Sequence, residues 1–211
     1  MVYPDRAAAG RVLGKALEHL RAPRPLVLGL PRGGVPVAAG VCAIVDGELD
    51  ILLVRKLGLP WQPELAMGAL GEGGVLVVNR DVIERSGVTQ EAFDEVERAE
   101  RIELARRQRE LRTGDPVPLA GRVVMIVDDG MATGATVVAA CRVARARHPD
   151  RVIVAMPVSS PEAARRVRRE CDELVCLWTP ADLGGVGMAY RDFHQLADDE
   201  VRALLTDQPK H

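Results

Sequence analysis

The chain has 211 residues, of which 47% are hydrophobic, 27% charged and 3% aromatic. A chain of this length supports one substantial domain. With so few aromatic residues the core must consist of Val, Leu, Ala and Ile, which favours a buried parallel sheet covered by helices. The net charge of −2 provides no overall field that would attract nucleic acid or an anionic membrane, so we expect neither as a partner.

Cysteine usage and the N-terminal sequence indicate the compartment. The cysteines lie in or beside apolar runs and share no metal-ligand spacing, so we expect reduced structural thiols at Cys42, Cys141, Cys171 and Cys176. The N-terminus lacks an apolar signal region, and no apolar stretch reaches the length of a membrane helix. We therefore expect a cytoplasmic protein.

Strand-like and helix-like segments alternate along the chain. Short β-branched runs predict buried strands at Leu26–Gly29, Ile51–Val54, Val75–Val78, Val123–Val127, Val152–Met156 and Leu174–Leu177. Helical spacing of apolar residues predicts helices at Arg6–Leu20, Val35–Ile44, Val137–Arg147 and Glu162–Arg169. This alternation predicts an α/β fold, an open parallel sheet flanked by helices, with right-handed connections.

One charged segment interrupts the alternation. Thr89–Arg112 is rich in Glu and Arg, begins at a possible N-cap, and ends shortly before Gly114. Opposite charges recur three or four residues apart, which is typical of a long exposed helix. A solvated helix within an insertion is favoured over a nucleic-acid-binding one.

The string from Val123 to Thr136 predicts a phosphate site. A strand leads into Asp128 and Asp129, which are followed by a Gly/Thr turn and then a helix. In open α/β sheets, ligands bind at the carboxyl ends of strands. Small turn residues and a helix N-terminus together form an anion site, and the hydroxyls of Thr133 and Thr136 add donors.

The two carboxylates need a partner other than the phosphate, which they would repel. Ribose hydroxyls and Mg²⁺ are suitable partners, because Mg²⁺ binds to one or two carboxylates together with substrate oxygens. A sugar that carries a phosphate and a metal would satisfy Asp128, Asp129 and the turn at once. The alternative is a βα turn in which Asp and Thr serve only as helix caps.

This string resembles the phosphoribosyl pyrophosphate (PRPP) signature of the type I phosphoribosyltransferases. The resemblance implies that Asp128 and Asp129 bind the ribose hydroxyls, directly or through Mg²⁺ as the cofactor. It also implies that the turn binds the 5-phosphate of PRPP through Ala132, Thr133, Gly134, Ala135 and Thr136.

A second loop, Gly29–Gly34, follows the first predicted strand. Its sequence Pro-Arg-Gly-Gly resembles the pyrophosphate loop of the family, which implies that Arg32, Gly33 and Gly34 bind pyrophosphate. The family often has a non-proline cis peptide here, so the bond before Arg32 is a place to look for one. Without a ligand, the same residues would form an ordinary turn.

A third segment places two cations together. Arg55 and Lys56 begin a run that resembles the R-K-x-G-x-x-P motif of adenine phosphoribosyltransferases, and they would neutralise the departing pyrophosphate. The alternative is a pair of solvated cations. The following Trp61–Gly74 is rich in Gly and Pro and is interpreted as a mobile lid.

The residues at Trp178–Asp192 correspond to the small hood with which the family recognises its base. Val186 and Gly187, followed by Tyr190, resemble the hood of hypoxanthine-guanine enzymes. The family's stacking aromatic, base-reading Lys and turn Asp are replaced by Leu183–Gly184, Pro157–Ser160 and Ala132, respectively, which argues against a 6-oxopurine. Candidate base contacts are Val158, Trp178, Val186 and Tyr190, and core packing is the alternative for Trp178 and Tyr190.

The resemblance implies a single domain over residues 1–211, with a core at about 24–177, an inserted flexible loop and long helix at about 55–114, and a hood at about 178–192. It implies an enzyme, a pentosyltransferase of nucleotide salvage, that binds PRPP, Mg²⁺ and a nitrogenous base and assembles as a homodimer. The expected catalytic residues are Arg32, Arg55, Lys56, Asp128 and Asp129.

Two other functions are alternatives to this one. A PRPP- or nucleotide-sensing regulator would keep the fold without efficient chemistry, and the missing base-reading residues favour it. The retained cations Arg32, Arg55 and Lys56 argue against it. A phosphate-binding hydrolase has no support, because the sequence contains neither a G-x-S-x-G elbow nor a cluster of metal-ligating His.

Overall fold

The computed structural model of the chain describes residues 2–21 and 24–207. Residues 1, 22, 23 and 208–211 of the expected domain lie outside the described part. The strands, in chain order, are β1 (Leu26–Gly29), β2 (Glu48–Ile51), β3 (Val54–Leu59), β4 (Gln62–Gly71), β5 (Leu76–Val78), β6 (Val123–Val127), β7 (Arg151–Val158) and β8 (Glu173–Trp178). Five of them form a parallel sheet in the order β2-β1-β6-β7-β8, and β3, β4 and β5 form a separate antiparallel sheet.

Helices flank the parallel sheet, as the sequence predicts. The helices of the described part, in chain order, are α1 (Arg6–Ala16), α2 (Gly34–Val45), α3 (Arg80–Ser86), α4 (Gln90–Leu111), α5 (Ala135–Arg145), α6 (Pro161–Val167) and α7 (Asp198–Thr206). Of these, α3 and α4 lie against the antiparallel sheet. Side chains cap three of the N-termini: Asp5 accepts from Ala8 at 2.7 Å, Thr89 from Ala92 at 3.2 Å, and Ser160 from Ala163 at 3.0 Å.

Both faces of the parallel sheet are buried, which explains why its strands are continuous apolar runs. On one face Val27, Met125 and Ile153 pack with Leu13 of α1 and Val41 of α2. On the other face Leu28, Ile126 and Val154 pack with residues of α5 and α6. The predicted open parallel sheet is confirmed.

The second sheet corrects two strand predictions and shows the conformation of the segment interpreted as a lid, whose mobility stays a prediction. The run predicted as Ile51–Val54 divides at the end of β2, and β5 belongs to the antiparallel sheet instead of the parallel one. Trp61–Gly74, interpreted as a mobile lid, is largely strand β4. Two register shifts around Gly58 break the period-two pattern of the β3–β4 hairpin, so alternation could not reveal it.

Helix α4 lies against the antiparallel sheet. One face carries Phe93, Leu104 and Leu111, each of which is at most 6% exposed, and these pack with Leu57 and Leu70 of the hairpin. The helix extends over the length that the sequence predicts and begins after its Thr89 N-cap. It is not the fully exposed helix that was expected, because this apolar face is buried.

The segment after β8 returns to the beginning of the chain. It contains a short 3-10 turn at Val186–Ala189, and the Tyr3 amide donates to the carbonyl of Ala189 at 2.8 Å. Tyr3, Val158, Ala189 and Tyr190 form a small buried cluster there. All four cysteines carry free thiols. Among the described residues, no helix has both the length and the apolar character needed to cross a bilayer.

Candidate active site

Two of the predicted loops meet at the carboxyl end of the parallel sheet. Strands β1 and β6 are hydrogen-bonded neighbours, with Gly29 opposite Val127. The Leu30–Gly34 loop and the Asp128–Thr136 loop therefore leave the sheet side by side, at the position where open α/β sheets bind ligands. The Leu30 amide donates to the Val127 carbonyl at 2.9 Å and joins the two loops at their base.

Asp128 and Asp129 are carboxylates in largely buried positions. Burial raises the pKa of Asp128 well above the ordinary aspartate value, and the neighbouring charge of Asp129 raises it further. Burial also raises the pKa of Asp129, although its hydrogen bond with Arg6 opposes this. The Asp129 amide donates to Asp128 Oδ1 at 2.8 Å. A bound cation, or hydrogen-bond donors from a ligand, would favour the ionised form of such carboxylates.

Arg6 is the cation that contacts this pair, and the sequence analysis missed it. Its Nε donates to Asp129 Oδ2 at 2.9 Å, and its guanidinium lies 3.9 Å from the centre of the Phe193 ring. A second nitrogen, Nη1, donates to the His194 carbonyl at 2.9 Å. The signal was available: Arg6 lies on the same stripe of α1 as the buried Ala9 and Leu13.

Gly33 and Gly34 are required by the closeness of the aspartates. A Cβ atom on Gly33 would overlap the carboxylate of Asp129, and one on Gly34 would lie 2.5 Å from the Val127 carbonyl oxygen. The peptide bond before Arg32 is cis, as the resemblance implied. The missing side chains thus allow the Pro31–Gly34 loop to pack on the acidic pair.

Replacing Gly34 by Ala is expected to lower the free energy of unfolding by about 1–3 kcal/mol, because backbone atoms of Val127 and Asp128 surround the new methyl group. Urea denaturation measures the loss. Gly114→Ala is the matched control, because nothing lies within 4 Å of its Cβ position, and it should change stability by less than about 0.5 kcal/mol. Equal effects in the two variants would contradict the close approach.

The turn predicted to bind a phosphate leads directly into α5. Gly134, with a φ of 73°, is the N-cap, and Ala132, Thr133 and Thr136 are exposed. The first turn of a helix leaves backbone N–H groups without helical partners. From outside, Ser160 Oγ donates to the Ala132 carbonyl at 2.6 Å. The turn is held in place while its helix end faces the site, as an anion site requires.

A first cavity of about 490 Å³ adjoins these loops. Its walls come from both loops, from the β3–β4 hairpin and from α4. The polar side chains that line it are those of Arg55, Lys56, Glu100, Arg107, Asp128 and Thr136. Glu100 and Arg107 come from the helix that the sequence analysis interpreted as solvated. The structure therefore brings Arg55 and Lys56 to the same cavity as Asp128 and Thr136.

Each of the three predicted cations has a carboxylate partner. Arg55 Nε lies 2.5 Å from Glu100 Oε2, and Lys56 Nζ lies 2.7 Å from Glu64 Oε1. Arg32 Nε lies 2.9 Å from Asp198 Oδ1, and its Nη1 donates to the Leu196 carbonyl at 3.0 Å. An anionic ligand that used these cations would exchange places with the carboxylates.

A second cavity of about 350 Å³ adjoins the Pro31–Gly33 loop. Three arginines line it, together with Gln195 and Leu196 of the C-terminal segment: Arg6, Arg32 and Arg107. Within the described part of the chain, no Asp or Glu belongs to its lining. Pro31 and Arg107 line both cavities, so the two spaces adjoin at the Leu30–Gly34 loop.

The residues predicted to contact a base pack closely around the acidic loop. A Cβ atom on Gly130 would lie 2.7 Å from methyl carbons of both Val158 and Val186. The Tyr190 hydroxyl donates to the Asp129 carbonyl at 2.5 Å, and Tyr190 is 6% exposed. Trp178 ends β8 and is partly buried. Val158, Val186 and Tyr190 thus lie against the acidic loop, whereas Trp178 packs against the buried cluster that contains Tyr3 and Tyr190. The contact of these four residues with a base stays a prediction.

The described residues contain no group of three or more His, Cys, Asp or Glu side chains placed to hold a metal ion. Mg²⁺ does not require one, because it binds through one or two carboxylates together with substrate phosphates and water. Asp128 and Asp129 fit this requirement, because a bound cation would favour the charged carboxylates that their burial disfavours. Asp128 also lines the first cavity.

Comparison with known proteins agrees with this geometry. A family model described as the phosphoribosyl transferase domain matches residues 5–192. The chain belongs to the phosphoribosyl transferase family. The matched range includes both loops, the β3–β4 hairpin, α4 and the hood, so every element that lines the first cavity is part of the family domain.

Individual relatives support the same family. Two Mycobacterium tuberculosis proteins, from strains CDC 1551 / Oshkosh and ATCC 25618 / H37Rv, are each named "Putative phosphoribosyl transferase" and are 51% identical over 205 residues. The match covers 97% of this chain and 46% of each relative, so the chain spans about half the length of those proteins. The crystal structure of TT1426 from Thermus thermophilus superposes with a TM-score of 0.89 at 43% identity and covers 97% of this chain and 98% of that one.

Proposed function

We propose that the protein transfers the 5-phosphoribosyl group of PRPP to a nitrogenous base and releases pyrophosphate. The observation that carries the proposal is the buried pair Asp128–Asp129, which adjoins the helix N-terminus at Gly134 on one side and the Arg32 loop on the other. A ligand with hydroxyls or a metal between two anionic groups satisfies all three features. PRPP is such a ligand.

The reaction needs no covalent enzyme nucleophile. Asp128 and Asp129 would hold the ribose hydroxyls and favour the positive charge that develops on the sugar as its bond to pyrophosphate breaks. The negative charge that develops on the leaving pyrophosphate would be stabilised by the cationic side chains of Arg32, Arg55 and Lys56. Mg²⁺, held by the two aspartates and the oxygens of PRPP, would offset part of the pyrophosphate charge.

The acceptor is a nitrogenous base of undefined identity, and the role would be nucleotide salvage. Val158, Trp178, Val186 and Tyr190 are the candidates for its walls. Leu183 and Ala132 depart from the residues of the 6-oxopurine enzymes, which argues against a 6-oxopurine as the base. The aliphatic side chains of Val158 and Val186 agree with this interpretation.

Pyrophosphate release with PRPP, Mg²⁺ and a panel of purines, pyrimidines and related bases tests the proposal. We expect release with one class of base, and loss of the signal when EDTA removes Mg²⁺. Release that depends on no base would indicate hydrolysis and contradict the transferase proposal. Calorimetry with PRPP and Mg²⁺ must show binding, and its absence would contradict the proposal outright.

A PRPP-sensing regulator is the second candidate. Its support is that Arg32, Arg55 and Lys56 are all engaged by the protein's own carboxylates, so binding would break three ion pairs and rearrange the hairpin, α4 and α7. The same two experiments separate the candidates. A sensor binds PRPP in the calorimeter and releases no pyrophosphate with any base.

The proposal also includes a cytoplasmic location and a homodimeric assembly. The four free thiols are typical of proteins from a reducing compartment, which supports a cytoplasmic location. A homodimer follows from the family resemblance alone. Sedimentation equilibrium of the purified protein tests the assembly, and a mass near 22.8 kDa would indicate a monomer instead.

A further inference from the structure

Arg107 lies at the junction of the two cavities. One stripe of α4 carries, at intervals of three or four residues, the side chains of Phe93, Val96, Glu100, Leu104, Arg107 and Leu111. Phe93, Leu104 and Leu111 on this stripe are buried, and Val96, Glu100 and Arg107 line the first cavity. Packing of the apolar members therefore fixes the direction in which Arg107 points.

The hydrogen bonds of Arg107 leave most of its donors available. Its Nε donates to Glu103 Oε1 at 3.1 Å, and Arg106 contacts the same carboxylate. Nothing in the described part of the chain accepts from the two terminal nitrogens of Arg107 under ordinary hydrogen-bond geometry. A guanidinium with its outer edge unpaired can bind phosphate oxygens in bidentate fashion.

The charge around Arg107 favours an anion. The second cavity is lined by Arg6, Arg32 and Arg107 without a carboxylate among its described lining residues, and at Pro31 it adjoins the cavity that Lys56 lines. A diphosphate that contacts the Arg32 loop from either side would reach Arg107, because Arg107 lines both spaces.

We propose that Arg107 is a phosphate-binding residue that α4 supplies to the pyrophosphate end of the donor. The inference rests on the proposed function for the nature of that donor. It assigns to α4 a direct contact with the ligand in addition to its packing against the hairpin. Glu100 lies two turns earlier on the same stripe, so the ligand would meet the Arg55–Glu100 ion pair and Arg107 on one helix face.

Arg107→Gln is expected to weaken binding of inorganic pyrophosphate, and of PRPP with Mg²⁺, by about 10- to 100-fold, since a charge-assisted hydrogen bond is removed. Titration calorimetry measures both ligands. Arg106→Gln is the control at the adjacent position: it removes the same charge and a contact with the same Glu103 carboxylate, together with a pair to Glu110, but Arg106 lines neither cavity. It should change affinity by less than about threefold. Arg107→Lys should restore part of the loss.

The outcomes separate this inference from the proposed function. Equal affinity of wild type and Arg107→Gln for both ligands would overturn the role of Arg107 and leave the transferase proposal standing. Equal weakening by Arg106→Gln and Arg107→Gln would also overturn it, because net charge alone would then explain the effect. A wild-type protein that binds neither pyrophosphate nor PRPP overturns both. Circular dichroism of each variant at the assay temperature checks that the total helix content equals that of the wild type.

Discussion

Asp128→Asn is expected to weaken binding of PRPP with Mg²⁺ by at least about 100-fold while leaving the protein no less stable than the wild type. The amide keeps an oxygen that can accept from the Asp129 amide, as Asp128 Oδ1 does. It lacks the negative charge that a metal or ribose hydroxyls require. Calorimetry measures the binding, and urea denaturation at pH 7 measures the stability. The double variant with Asp129→Asn should lose binding completely.

The stability of this variant should also depend on pH in a defined direction. Burial raises the pKa of Asp128 well above its ordinary value of 3.8, so the folded protein binds this proton more tightly than the unfolded chain does. The wild type therefore loses stability as pH rises through the raised pKa of the folded state. Asp128→Asn lacks this penalty, so its stability advantage should be largest at neutral pH and shrink as the solution is acidified toward the ordinary aspartate range.

Asp115→Asn is the control for the amide substitution, because Asp115 is exposed and lines neither cavity. It should alter neither binding nor stability by a measurable amount. A clear loss of stability in Asp128→Asn at pH 7 would contradict the electrostatic interpretation. It would mean that the carboxylate contributes to the fold instead of being retained for a ligand.

Arg112→Met is expected to lower the free energy of unfolding by about 3–5 kcal/mol, the usual result when one partner of a buried ion cluster is removed. Arg112 Nε donates to Glu72 at 2.7 Å, another of its nitrogens donates to Asp50, and Nη2 donates to the Ile51 carbonyl at 2.8 Å. The side chain of Glu72 is 1% exposed. Methionine would leave both carboxylates buried without a cation. Urea denaturation measures the loss.

Arg101→Met provides the comparison within α4. The Arg101 side chain is 45% exposed and pairs with Glu97 one turn earlier, so its removal should change stability by about 0.5 kcal/mol or less. Similar losses in the two variants would contradict the buried cluster. If Arg112 also positions the end of α4, Arg112→Met should in addition weaken pyrophosphate binding through Arg107, whereas Arg101→Met should not.

The parallel sheet and its loops were predictable because the residues that determine each of them are contiguous in the sequence. Strands β1 and β6 are buried on both faces, so each appears as an uninterrupted apolar run. The acidic pair and the Thr133–Thr136 turn are contiguous, and a strand and a helix flank them. The spatial arrangement of such a motif can be predicted from the sequence, since a strand end, a turn and a helix start follow one another in space as they do in the chain.

Sequence analysis missed three residues that line the cavities, Arg6, Glu100 and Arg107, because their positions depend on contacts between residues distant in the chain. Arg6 reaches Asp129 across 123 positions, and no spacing rule connects them. Even so, Arg6 on the apolar stripe of α1, and Glu100 and Arg107 on that of α4, are polar residues at positions that predict burial. The abundance of charge in α4 concealed this signal, because the whole helix was interpreted as solvated.

Helix α1 and the segment after β8 both contact the Asp128–Asp129 loop, which has a consequence for biosynthesis. Arg6 belongs to the first helix, whereas Tyr190 and the His194 carbonyl, which complete the contacts of Arg6 and the acidic loop, follow the last strand of the sheet. During translation, the segment that carries Tyr190 and His194 emerges after the whole parallel sheet has been made. The aspartates therefore acquire their final surroundings late, so the proposed site should be complete in a nascent chain only after synthesis has passed His194.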